Sequence, residues 1–361
     1  MFLECVLGGA MGVWIKQLLL IFMVTAALAS AQQIARADES GISFWLPGQY
    51  GSLAALPQQP GWALATVYYH TSVKAEGNVA AARQVEIGRF TSTLNVDVNA
   101  HLKANADLAI FAPSYVFATP VLGGQLAAGI TAIYARMTTS LAGSASATLG
   151  PLAIVRSGII SDTGTGFGDL FPQASLRWNA GLHNFMTYVT GDVPVGTYNS
   201  NNLANIGIGH GAVDGGAGYT YFNPQTGREF SAVAGLTYNF KNSATNYRNG
   251  TDFHIDWGAS QFLSKEVHIG LVGYFYDQLT ADSGQPAFLG DFKSRVVGVG
   301  PQIGFIFPIG GMQGYLNFKG YGEFAAANRA EGWNAWVTFA ISPAPAGAPP
   351  PIAQRNAVIT K

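Results

Sequence analysis

The sequence predicts an all-β protein, a transmembrane antiparallel up-and-down β-barrel of about fourteen strands, with twelve or sixteen as alternatives. Three observations carry the expectation: a surface with too few charges for water, a period of two in hydrophobicity, and connections that alternate between short and long. Of 361 residues, 48% are hydrophobic and only 11% charged, against about 25% charged in an ordinary soluble domain. Glycine (45) and aromatic residues (15 Tyr, 22 Phe) are abundant, without the G-X-Y period of collagen. A net charge of −1 gives no reason to expect a nucleic-acid partner.

Residues 1–37 read as a secretory signal peptide. Lys16 precedes a short apolar run over 18–29, well below the roughly 20 residues of a spanning helix. Small-x-small sites follow, so cleavage is expected after Ala31 or Ala37, with Asp38 the favoured mature start. The one cysteine, Cys5, falls in this segment, which leaves no disulfides or cysteine metal sites beyond it. No later run is long and apolar enough for a spanning helix, so an exported chain of this composition points to strands.

Residues 38–60 are apolar, broken by proline and poorly alternating. They form either a periplasmic lead-in or a plug within the lumen; Phe44, Trp45, Leu46 and Tyr50, poorly suited to water, favour the plug.

Residues 61–341 carry the barrel. Successive side chains of a strand point to opposite faces. Over 90–101, Phe90, Leu94, Val96, Val98 and Ala100 oppose Thr91, Thr93, Asn95, Asp97, Asn99 and His101. Over 229–240, Phe230, Ala232, Ala234, Leu236, Tyr238 and Phe240 oppose Glu229, Ser231, Thr237 and Asn239. Over 315–324, Leu316, Phe318 and Phe324 oppose Tyr315, Asn317, Lys319, Tyr321 and Glu323. Gly, Pro, Asn and Asp punctuation places strands near 62–74, 86–102, 104–118, 122–136, 138–150, 166–179 and 182–193. Others follow near 209–223, 228–240, 251–263, 266–280, 294–308, 313–327 and 333–341. Short turns are expected near 103, 136–137, 179–181, 223–227, 264–266 and 309–312, and longer loops near 75–85, 151–165, 194–208, 241–250 and 281–293. Outer-membrane barrels show this rhythm, with short periplasmic turns and long outer loops. Trp178, Tyr219, Tyr221, Tyr238, Trp257, Tyr274, Tyr276, Trp333 and Trp336 lie near strand ends, where interfacial girdles sit. Residues 342–361 are a Pro-rich tail that cannot extend the sheet.

Several phrases, in order, resemble a known family: SFWLPGQYGSLAAL (43–56), GTGFGDL (164–170), TYVTGDVPVG (187–196), GGAGYTY (215–221), DFHIDWGASQFL (252–263), GLVGYFYDQLT (270–280), GDFKSR (290–295), GPQIGF (300–305) and EGWNAWVT (331–338). Over about 43–341 the chain resembles the proteobacterial outer-membrane family associated with the meta-pathway of phenol degradation. The resemblance implies an outer-membrane barrel linked to breakdown of aromatic compounds. It further implies a remote similarity to fourteen-stranded transporters of long-chain fatty acids and aromatic hydrocarbons, and it supplies no catalytic residues.

With the apolar faces on lipid, Asp97, His101, Asp169, Arg177, Asp252, His254, Asp256, Lys319 and Glu323 are the candidates to line a ligand path in the lumen. Asp252-x-His254-x-Asp256 is the densest group. It reads as a structural network or as a gate; side chains about 7 Å apart along a strand rarely converge on one metal. Gly298-Val-Gly-Pro-Gln-Ile-Gly304 reads as a kinked strand rather than a dinucleotide loop, because Pro301 interrupts it. The sequence lacks G-x-S-x-G, H-E-x-x-H and P-loop motifs, so neither an enzyme nor a cofactor is expected. A hydrolase built on Ser260 or Ser175 near a histidine is the enzymatic alternative. The expected function is a channel or transporter for small hydrophobic, including aromatic, compounds. The alternative is a structural or adhesion barrel without a path. Its expected partners are outer-membrane lipids, such small molecules and the barrel assembly machinery.

Overall fold

A computed structural model describes residues 43–76, 95–149, 152–284 and 293–344; the segment expected to be a signal peptide lies outside them. Twelve strands follow in chain order: β1 (Gly61–Glu76), β2 (Asn95–Val116), β3 (Gln125–Leu149), β4 (Leu152–Ala180), β5 (His183–Asp192), β6 (Ala212–Asn223), β7 (Arg228–Asn239), β8 (Asp252–Phe262), β9 (Val267–Gln278), β10 (Arg295–Ile309), β11 (Met312–Ala327) and β12 (Glu331–Pro343). Each pairs antiparallel with its chain neighbours, and β12 returns to β1 to close the barrel. Closure leaves no unpaired backbone edge facing hydrocarbon.

The count is twelve rather than fourteen because two pairs of expected strands each run on as one, and a third expected break only lengthens a strand. Residues near 103 lie inside β2, those near 136–137 inside β3, and the loop expected at 151–165 falls in β4. Lys103, Arg136 and Met137 carry no turn chemistry, and the pleat runs through them. Where turn chemistry is present the expectation holds: Gly310 and Gly311, with φ of 55° and 82°, make the two-residue hairpin between β10 and β11. Both central residues of such a turn need positive φ.

β5 to β9 have 10–12 residues each, whereas β2, β3 and β4 have 22, 25 and 29. About 9–11 tilted residues cross a bilayer, so β2 to β4 rise past the lipid as a tall wall at the end opposite the β10–β11 hairpin. The cross-strand rows over β1 to β4 show where lipid ends. Tyr68, Ala109 and Tyr134 form one outward row with Phe167 nearby, and His70, Asp107, Arg136 and Thr165 form the next row up. There His70 Nδ1 and Tyr68 Oη lie 2.8 and 2.6 Å from Asp107 Oδ1.

Above that level the usual pattern reverses. His101, Lys103 and Asn105 are exposed on the outside of β2, while Leu102 and Ala106 are buried inside it. This corrects the lumen placement of His101. Beyond the lipid the outer face meets water, and the inner face packs on Leu203, Ala204 and Ile206 of the β5–β6 loop. Asp97 lies in β2 among residues whose side chains are not described.

Lower down, the expected faces hold. Phe230, Leu236, Tyr238, Phe318 and Phe324 are exposed outward, and Glu229, Ser231, Thr237, Asn317, Lys319 and Tyr321 are buried inward. Three residues expected in the girdle, Tyr274, Tyr276 and Trp336, are instead buried inside the barrel. Glycine makes room for one of them: at Gly298 of β10 a Cβ would overlap the Tyr274 ring. At the C-terminus, Ser342 and Pro343 still pair in β12; the tail beyond 344 lies outside the described residues.

Candidate functional site

The inner surface has two unlike walls. One, contributed by β6 to β12, is polar and aromatic and holds residues 43–60; the other, from β1 to β4, is mainly small and aliphatic and faces a cavity.

Residues 43–60 contain prolines and do not pair as a strand, so their backbone groups need partners from elsewhere. Side chains of the barrel supply them. The Asp256 carboxylate accepts from the amides of Gly48 (2.9 Å) and Tyr50 (3.1 Å). Glu229, Ser231 and Thr220 accept from the amides of Leu53, Ala54 and Ala55 at 2.9, 3.3 and 3.0 Å. Lys319 Nζ donates to the carbonyls of Gly48 (2.6 Å), Gln49 (3.1 Å) and Tyr50 (3.4 Å). The Tyr321 hydroxyl also donates to Gly48, at 3.1 Å. Ser52 meets Ser260 and Gln302 at 2.8 and 2.7 Å. At its upper end, Arg329 of the β11–β12 connection donates to Ser43 Oγ, at 3.2 Å.

Apolar packing completes the contact. Phe44 and Trp45, 8% and 2% exposed, join Met186, Tyr188, Ile208 and Val233 in one cluster, with Tyr50 against it; Leu46 packs on the neighbouring cluster around Tyr274 and Trp336. Trp45 stacks on His254, ring centroids 3.5 Å apart. His254 Nε2 is 2.8 Å from Asp214 Oδ2, which also accepts from Thr237 at 2.6 Å. The group expected as Asp252-x-His254-x-Asp256 is therefore three separate tasks on one strand. Asp252 accepts from Asn239 (2.8 Å), His254 pairs with Asp214 under Trp45, and Asp256 holds the 43–60 backbone.

Elsewhere, Asp169 accepts from the amides of Gly196 and Ile208 at 2.7 and 2.8 Å and so fixes the β5–β6 loop. Glu323 accepts from the Tyr274 hydroxyl (2.6 Å) and the Gly332 amide (2.9 Å). Ser260 Oγ is 3.2 Å from His268 Nδ1 but is also engaged by Ser52 and Gln302. Hydrogen-bonded on three sides and 8% exposed, it leaves an acyl substrate no approach. Ser175 accepts from Arg177, not from a histidine.

Between residues 43–60 and the β1–β4 wall lies a cavity of about 420 Å³. Its upper part is lined by Ala106, Ile110, Ile133, Ala135, Met137 and Ile206, its middle by Phe44, Phe171 and Tyr188, and its lower end by Gln58, Ser114, Gln173, Ser175 and Arg177. Of the residues expected to line a path, Asp169 and Arg177 reach this cavity. The sequence reading misses its aliphatic lining, because inward alanines and isoleucines look like lipid-facing ones. It also misses Thr220, Gln302 and Asp214, single polar residues whose partners are distant in sequence.

A closed antiparallel barrel with an apolar outward band, short turns at one end and long connections at the other is an outer-membrane β-barrel. Residues 68–339 match the model of the family described as "Putative MetA-pathway of phenol degradation", and the chain belongs to that family. Among solved structures, it is similar to the COG4313 outer membrane channel of Pseudomonas putida F1, at 14% identity and a TM-score of 0.54, covering 82% of this chain and 99% of that one. A looser match is a FadL homologue of Pseudomonas aeruginosa, at 8% identity and a TM-score of 0.36, covering 78% of this chain and 89% of that one. No curated protein matches the sequence.

Proposed function

We propose that this protein is a passive channel through which small hydrophobic molecules, aromatic ones among them, cross the outer membrane, with residues 43–60 restricting the path as a plug. The cavity beside that segment carries the reading. It has the size and mainly apolar lining of a small-molecule site, and it extends from the tall extracellular wall toward the periplasmic turns. A barrel serving only as scaffold or adhesin has no need of such a space and would fill it with side chains, as the β6–β12 side is filled. The similarity to a solved outer-membrane channel and the family's link to phenol degradation agree with this cargo class.

The test is to fill the space. Ala106 and Ala135 are 6% and 4% exposed and line the cavity. Replacing either with Phe should cut uptake of a labelled aromatic hydrocarbon by intact cells, at matched outer-membrane levels and with heat-modifiable gel mobility intact. Undiminished uptake through both variants would refute passage by this route.

A further inference from the structure

The lower end of the cavity holds a cation that the fold leaves without a counter-ion. Arg177, on β4 near the periplasmic turn, lines the cavity, and its Nη1 donates to Ser175 Oγ at 2.7 Å. Its Nε is buried without a hydrogen-bond partner, and among the described residues no carboxylate pairs with it. Asp169, the acidic residue lining the same cavity, sits eight residues up the strand, about 26 Å away at strand rise, and is committed to the β5–β6 loop. The other inward cations are employed differently: Lys319 holds three carbonyls, and Arg329 lies 4.7 Å from the Tyr276 ring centre while donating to Ser43.

A half-buried guanidinium whose Nε is sealed from water and whose one side-chain partner is a neutral hydroxyl gains from an anion that completes it. Its planar fork suits a carboxylate in particular. Around it, Gln58, Ser114, Gln173 and Ser175 make the end polar, while the space above is aliphatic and aromatic. We propose that the cavity binds amphipathic anions, small aromatic or aliphatic carboxylates, with the carboxylate on Arg177 and the apolar body directed up the β1–β4 wall. The proposal rests on the channel reading and narrows its cargo.

The experiment is calorimetric titration of the purified full-length mature protein at pH 8 with 4-bromobenzoate and its uncharged analogue 4-bromobenzamide. It is run on the parent and on Arg177→Met and Arg177→Lys, each checked for heat-modifiable mobility. The parent should prefer the benzoate by about tenfold or more, as a charge-assisted bidentate contact requires. Arg177→Met should abolish the preference while leaving benzamide binding unchanged, and Arg177→Lys should retain part of it. Equal binding of the two compounds to the parent, or a preference that survives Arg177→Met, overturns the anion site and leaves a channel for neutral molecules standing. Binding of neither compound, with no gain in cellular uptake of an uncharged aromatic on expression, removes both readings.

Discussion

Asp256→Ala should release residues 43–60 from the barrel wall. The carboxylate is the acceptor for two amides, of Gly48 at 2.9 Å and Tyr50 at 3.1 Å, and it is buried. Hydrogen bonds to a charged group are worth about 1.5–3 kcal/mol each. Losing both weakens docking by at least about 3 kcal/mol, roughly two orders of magnitude in the docking equilibrium. Ser43 offers a reporter at the far end of the segment: it is 8% exposed, nearly isosteric with cysteine, and the sequence's one native cysteine is Cys5. In a Ser43→Cys background, labelling by a bulky maleimide should be slow with Asp256 present. With Asp256→Ala added it should be roughly a hundredfold faster, when opening and reclosing are fast relative to labelling. Conductance in planar bilayers should rise in parallel. Equal protection in the two proteins would refute the reasoning, and would mean that the packing of Phe44 and Trp45 with the remaining bonds from Lys319, Tyr321 and Glu229 holds the segment.

Three further outcomes are expected. Phe318→Arg places a cation on the lipid face of β11 and should destabilise the barrel by about 2–4 kcal/mol. Asn105→Arg, outward on β2 above the lipid, should be close to neutral; the gel temperature at which the compact band disappears separates the two. His254→Ala takes the imidazole from buried Asp214 and the stacked ring from Trp45, costing about 1–3 kcal/mol for the lost buried partner on the same assay. Gly298→Val drives a side chain into the Tyr274 ring and should lower that temperature by an overpacking cost of about 1–3 kcal/mol, whereas Gly322→Val, where no atom lies within 4 Å of a built Cβ, should not.

Much of the barrel is legible because lipid and lumen enforce opposite chemistry on alternate residues. Phe230 to Tyr238 of β7 and Asn317 to Tyr321 of β11 declare their faces by type alone. The signal fails where that contrast reverses. In upper β2, water lies outside and packed apolar residues inside, so His101 and Leu102 exchange the faces expected of them. It fails again where the lumen is itself apolar: inward Tyr274, Tyr276 and Trp336 are indistinguishable in sequence from girdle aromatics. Strand number is overcounted where Lys103 and Arg136 read as breaks though neither imposes a turn. Phe44, Trp45 and Tyr50 are recognisable as unsuited to water, since burial of that surface has few solutions. Their polar partners are not, because Thr220, Glu229, Asp256 and Lys319 are joined to them only by closure of the sheet.

That dispersal of partners fixes an order of events. Residues 43–60 precede every strand in the chain; Gln125 of β3 holds Gln58, yet the side chains that hold the backbone of residues 48–55 come from β6, β7, β8 and β11. The first portion of the barrel region to be made is thus among the last to find its place, since most of its hosts do not exist until most of the sheet has formed. It must also be on the inner side when β1 meets β12, the seam that joins the ends of the chain. Assembly therefore has a deadline: a segment left outside at that moment is shut out by a sheet that its own first strand completes.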